Sequence, residues 1–249
     1  MQSFGRVALA GAALLAASAA FPSVSRADYV GGTFNFTSCH ISGSTCEGGF
    51  IAPPGFGSVT LTQAGANVTF DVTLINGNRF VETGAGGGEL FLFNDSIAGS
   101  TITNITATLN GTDVTSTIPG GLSGFTNISP RVMADGTGTF SASVECTIPM
   151  GMGSPCNGGS TPNINDLHFT VTNATVAQLE VGNGDGNGGT SNIFVADILC
   201  GAAQTQCGGL TGPVDVPVPG PILGGGLPGL IAACGGLIAL ARRRRKLVV

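Results

Sequence analysis

Lysine is missing from the whole stretch between Asp28 and Asp215, and arginine occurs there only at Arg79 and Arg131. All 14 acidic residues of the chain lie in the same stretch, which therefore carries a net charge of −12. Nucleic acid and anionic membrane surfaces are bound by Lys and Arg that neutralise phosphate, so this composition excludes both as partners of that region. Tryptophan is absent and Tyr29 is the single tyrosine. Sugar-binding platforms usually rely on those two side chains, whose flat rings combine apolar area with a polar edge, so an aromatic carbohydrate platform is not expected. Histidine is limited to His40 and His168, and no Cys-x-x-Cys unit exists, which argues against a structural zinc site.

Long amphipathic helices are missing too. What fills the stretch instead is Gly, Thr, Ser and Asn around apolar residues that alternate. In "ANVTFDVTLI", Val68, Phe70, Val72 and Leu74 fall on one face, with Asn67, Thr69, Asp71 and Thr73 on the other. "GTFSASVEC" places Phe140, Ala142, Val144 and Cys146 inward, and "DLHFTVTNA" does so with Leu167, Phe169 and Val171. Period two with β-branched residues and glycine-rich breaks indicates strands buried on one face. Further strands are expected in "GSVTLTQ", "GELFLFN", "TITNITATL", "GGLSGFTNIS" and "NIFVADI". The fold class expected is all-β, an antiparallel β-sandwich-like single domain over residues 28–212.

Motifs for chemistry are scarce. "GDGNGG" at Gly184 and "GGGLPG" at Gly224 match Gly-x-Gly-x-x-Gly, but neither opens a helix after a strand, as a dinucleotide site requires. "NGDGNGG" offers Asn183, Asp185 and Asn187 as oxygen ligands at calcium-loop spacing, yet Phe194 stands where the bidentate glutamate belongs. No Gly-x-Ser-x-Gly is present, and "DGTG" at Asp135 inverts the aspartic-protease order. His168 shares the polar strand face with Thr170 and Thr172, a solvated position, and His40 follows Cys39 at the base of a small loop. Paired carboxylates for glycoside hydrolysis need proximity in space, which sequence does not give. No catalytic residue and no cofactor are expected, and a non-enzymatic role is favoured, with a glycan- or calcium-binding module as the alternative. Seven Asn-x-Ser/Thr sequons, at Asn35, Asn67, Asn94, Asn104, Asn110, Asn127 and Asn173, are potential glycan acceptors.

Six of the seven cysteines form three close pairs: Cys39 with Cys46, Cys146 with Cys156, and Cys200 with Cys207. About 15 pairings are possible for six cysteines, but the spacing favours three local loops. Such loops belong to an oxidising compartment outside the cytoplasmic membrane. Cys234 has no obvious partner.

Both termini read as targeting segments. Arg6 precedes the apolar run Val7 to Ala20, and Ser25-Arg26-Ala27 supplies the small residues a signal peptidase reads, so residues 1–27 are expected to be removed after Ala27. A proline-rich spacer is expected over 213–221. Ile222 to Ala241 is then 20 residues without a charge, enough for one membrane-spanning helix. Arg242, Arg243, Arg244, Arg245 and Lys246 follow as a stop-transfer cluster in a basic cytoplasmic tail, 242–249, leaving the β domain outside.

The order of these tail features resembles the PEP-CTERM protein-sorting domain, in its Pro-Gly-Pro form: the signature Val218-Pro219-Gly220-Pro221, a glycine-rich apolar helix with "GLPGL", and a terminal arginine cluster. "VTLTQAGANVTFDVTLINGNRFVETGAGGG" and "DGTGTF" resemble recurring segments of β-rich domains that carry this tail. The resemblance implies export from a Gram-negative cell, recognition by an exosortase in the inner membrane, removal of the tail, and association with extracellular polysaccharide and biofilm matrix. It brings no biochemical activity with it.

Overall fold

The alternating segments pair into antiparallel sheets. In the computed structural model the described residues are 32–82, 88–118, 120–147, 156, 164–183 and 191–218, all within the unit Tyr29–Pro219. The first sheet has six strands in the order β1 (Thr33–Asn35), β4 (Gly57–Ala64), β5 (Asn67–Leu74), β14 (Asp166–Val171), β8 (Ile102–Leu109) and β9 (Thr112–Asp113). The second runs β10 (Leu122–Phe125), β13 (Ala142–Cys146), β7 (Glu89–Phe93), β15 (Asn192–Leu199), β16 (Thr211–Pro217), β2 (Ser38–Cys39) and β3 (Gly49–Phe50). The short β6 (Arg79–Phe80) also pairs with β15, and β11 (Val132–Ala134) with β12 (Gly138–Phe140) forms a separate hairpin. Among the described residues the single α-helical turn, α1, spans Val176–Leu179.

The period-two reading is met residue by residue in β5, where Val68, Phe70, Val72 and Leu74 are buried and the residues between them are not. They share one core with Leu167, Phe169 and Val171 of β14 and with Phe91, Phe93, Val144, Phe194 and Val214 of the second sheet. Phe70 is its hub. Its ring stacks on Phe169 at 4.6 Å and lies 5.1 Å from Phe93, 5.9 Å from Phe194 and 6.2 Å from Phe91. Each phenylalanine removed from water in this way stabilises the fold by about 1.5–3 kcal/mol, with aromatic contacts adding to it.

The chain changes sheets between neighbouring residues. Phe36 N–H donates to Gly57 O of the first sheet, while Thr37 N–H donates to Asp215 O of the second. On the other side β10 crosses close to β8 at Gly124, where a Cβ would stand 2.4 Å from Ile102 Cβ. Only glycine permits that approach.

Two sequence expectations need correction. "GTFSASVEC" is not one strand, because the chain breaks at Ser141 into β12 and β13. Phe140 then joins Leu92, Ala134 and Val195 in a second, small core on the outer side of the second sheet, covered by the β11–β12 hairpin. Residues 213–217, assigned above to a spacer, are the body of β16, paired with β15 on one side and β2 on the other. Asp215 is fully buried there. Pro213 and Pro217 lie outside the two-residue pairing of β16 with β2, and His40 N–H donates to Pro213 O where that pairing ends.

Three disulfides join Cys39 to Cys46, Cys146 to Cys156 and Cys200 to Cys207, the pairs favoured by spacing. The first and third close the β2–β3 and β15–β16 connections, which touch through Thr45 N–H to Gln206 O at 3.0 Å. The expected signal peptide with Ala27, the signature residues Pro219, Gly220 and Pro221, the apolar span and Arg242 to Lys246 lie outside the described residues. Among the described residues no helix is long and apolar enough to cross a membrane.

Candidate functional site

The second sheet places its outward-facing carboxylates under cover, and these are the chemically unusual groups of the domain. Strand alternation turns Asp215 away from the main core, next to Ser38 on β2. His40 Nε2 lies 2.8 Å from Asp215 Oδ2, although neither Asp215 oxygen has an aligned hydrogen-bond partner. Ser38 Oγ is 3.3 Å from the same His40 nitrogen. A serine–histidine–aspartate relay needs the two ring nitrogens to serve different partners, whereas here one nitrogen meets both. The arrangement clamps the base of the Cys39–Cys46 loop. The ring also supports the β11–β12 turn, since a Cβ on Gly136 would stand 2.8 Å from His40 Nδ1.

A second group gathers at the Cys146–Cys156 disulfide. Glu145 of β13 is the register partner of Glu89 of β7, next to a bulge. Cys146 N–H donates to Gly88 O, and Glu82 N–H donates to Cys156 O, so the disulfide ties Glu82, Glu89 and Glu145 to one corner. Glu82 and Glu89 are 2% and 4% exposed. Glu89 Oε2 accepts the Gly88 N–H, while both oxygens of Glu82 are without a hydrogen-bond partner. Burial, and then the charges of Glu89 and Glu82, push the Glu145 carboxyl up to about 7. Burial alone pushes Glu180, just after α1, up to about 7.

The outer face of the first sheet is solvated and hydroxyl-rich. Thr60, Asp71, His168 and Thr106 follow one another in register across β4, β5, β14 and β8. His168 Nδ1 contacts Asp71 Oδ1 at 2.5 Å with both side chains more than a third exposed. The position is solvated, as the alternation implied, with a contact to Asp71 that sequence spacing did not reveal.

Other sequence candidates are accounted for by local structure. Asn183 of the calcium-like loop spends its side chain on the backbone, its amide donating to Thr137 O and its oxygen accepting from Asn192 N–H. Asp185 and Asn187 lie outside the described residues. Asn104, inside β8 at its register shift against β14, and Asn110, Asn127 and Asn173, outside the strands, have left-handed φ of 52–55°, which asparagine adopts readily. The amides of Asn94, Asn127 and Asn173 donate to Val181 O, Ile97 O and Gly99 O. The large exposed aromatics among the described residues are Phe50 and Phe125, on opposite edge strands of the second sheet, and they form no common platform.

The acid corner was missed by sequence reasoning because Glu145 lies far along the chain from Glu82 and Glu89, and only cross-strand register brings it opposite Glu89. Its one local signal was Glu145 at an outward position of β13, and alternation does not say that an outward face is covered. Val214-Asp215-Val216 carried a readable period-two signal that the flanking prolines masked.

These features define an acidic, disulfide-closed, all-β domain with carboxylates buried on the outer side of one sheet. Compared with known proteins, the chain matches no family model, no curated protein and no solved structure.

Proposed function

We propose that the chain is an exported, non-enzymatic surface or extracellular-matrix protein, delivered by signal peptidase and then sorted by an exosortase acting on the Pro-Gly-Pro tail. The observation that supports export is the set of three short-range disulfides, which persist only in an oxidising compartment. The absence of lysine and the net −12 of the exported stretch suit a matrix of uncharged or cation-bridged polysaccharide and not a nucleic-acid partner. The sorting step rests on the tail sequence. An extended, helix-resistant Pro219-Gly220-Pro221 keeps its backbone accessible to a protease just outside the membrane.

The folded domain suits tethering at its C-terminal end. Thr33 at the start of β1 and Val216 and Pro217 at the end of β16 line one open cleft of about 230 Å³, so the described chain enters and leaves on the same side. The Cys200–Cys207 loop sits at the opposite end of β16. Replacing Pro219 and Pro221 with alanine is expected to leave full-length protein in the inner membrane, and normal release of that variant would contradict exosortase sorting. The alternative is a glycan- or calcium-binding module sharing this route.

A further inference from the structure

We propose that the folded domain latches Val218, the first residue of the Val218-Pro219-Gly220-Pro221 signature, and that opening of this latch sets the rate of tail removal. The latch presupposes exosortase sorting of the tail, and it adds a control that the tail sequence alone does not contain.

The seat of Val218 is built at the end of the β15–β16 pair. β16 ends at Pro217, whose register partner is Asn192, and the contact runs on for one more residue, because Val218 N–H donates to Ser191 O at 2.6 Å. Gly182 closes the seat. A Cβ there would stand 2.1 Å from Ser191 Oγ and 2.5 Å from Val218 Cγ2, so glycine is what permits this close approach. Both halves of the seat are anchored by the residues next to them. Asn183 N–H donates to Asn192 O, Asn192 N–H donates to Asn183 Oδ1, and both side-chain amides donate to Thr137 O. All three residues are buried, which shields this network from water. On the strand side Val216 is part of the main core. Val218 itself is 36% exposed, so its side chain is open to an enzyme while its N–H is committed to Ser191.

A protease that takes its substrate as an extended strand bonds to the main chain around the cut. Upstream of Pro219 those main-chain groups already belong to the sheet, since β16 is paired with β15 along its length and with β2 at Val214 and Asp215. Pro219 has no N–H, so Val218 supplies the first donor on the upstream side. Engaging it breaks the bond to Ser191. The intact fold therefore slows the enzyme, and the slowing is limited to about one hydrogen bond, because Val216 and Pro217 stay in the sheet.

The test is a pulse-chase of tail removal from the full-length protein in its native host. Gly182→Ala lies outside the tail. Ser191 Oγ can turn away from the added methyl, but the β-branched Val218 has few rotamers and is itself displaced. Tail removal is expected to run about two- to tenfold faster, the factor that one hydrogen bond is worth. Hydrogen exchange of the purified full-length protein in detergent is expected to show the Val218 amide protected in wild type and exchanging freely in Gly182→Ala. A second variant leaves the seat untouched: a short flexible Gly-Ser insertion ending in valine, placed between Val218 and Pro219, sets a second Val-Pro-Gly-Pro free of the sheet. The same acceleration is expected there, so the outcome does not depend on how well Gly182→Ala folds. Pro219→Ala with Pro221→Ala is the control for sorting itself. Wild-type rates in either variant, with that control blocking tail removal, would overturn the latch and leave exosortase sorting standing. Tail removal that ignores the control would overturn both.

Discussion

Glu145 stands directly across from Glu89 on the neighbouring strand, two carboxylates in cross-strand register in a domain whose only strong bases are Arg79 and Arg131. Like charges placed opposite each other destabilise a sheet, so this pairing makes stability depend on pH.

The folded-state carboxyls of Glu145 and Glu180 titrate at about 7, against 4.5 in the unfolded chain. Between those values the folded state retains protons that the unfolded state has released, so both groups lower stability as pH rises through the window and have no effect below it. In calcium-free buffer the double variant Glu145→Gln, Glu180→Gln is expected to gain Tm over wild type as pH is raised from about 5 to about 7.5. A constant difference in Tm across that range would show that neither group is shifted.

The His40–Asp215 contact is expected to behave as a buried pair. Removing the base in His40→Gln leaves Asp215 buried without compensation, at a cost of about 3 kcal/mol, whereas adding Asp215→Asn recovers much of the loss. Urea unfolding of the two single variants and the double variant measures the coupling. Additive losses would show that the two side chains act independently.

Phe70 meets four other phenylalanines from three strands, so truncation there opens a cavity that no single neighbour can fill. Phe70→Ala is expected to cost about 3–5 kcal/mol, while alanine at the exposed Phe50 changes stability by less than about 0.5 kcal/mol. Denaturant midpoints of the two variants distinguish the positions.

The disulfide that closes the β15–β16 connection ties a short loop, Cys200 to Cys207. Replacing both cysteines with alanine is expected to lower stability by about 2–3 kcal/mol, mainly through the freed unfolded chain. Peptide mapping without reductant is expected to recover all three pairs, and free thiols in exported material would contradict them.

How much of this was legible depended on how many faces of a strand are covered. β5 and β14 are buried on one face, and their alternation gave both strand and orientation. β7 is buried on both faces, so "ELFLF" shows no period, and its second cover, the β11–β12 hairpin, announces itself only through Phe140 changing sides. The disulfides Cys39–Cys46 and Cys200–Cys207 followed from spacing because they close the short β2–β3 and β15–β16 connections. The acid corner did not, because cross-strand register at a bulge brings Glu145 opposite Glu89 from a distant part of the chain. Asp215 was hidden by two prolines that elsewhere would end a strand.

The account rests most heavily on processing at the two ends. Mass spectrometry of the protein isolated from its native host, reading both mature termini, tests it most directly. A mature chain beginning at Asp28 and lacking Arg242 to Lys246 is the expected result. A chain that still carries Arg242 to Lys246 would contradict sorting by tail removal and leave a retained type I membrane protein in its place.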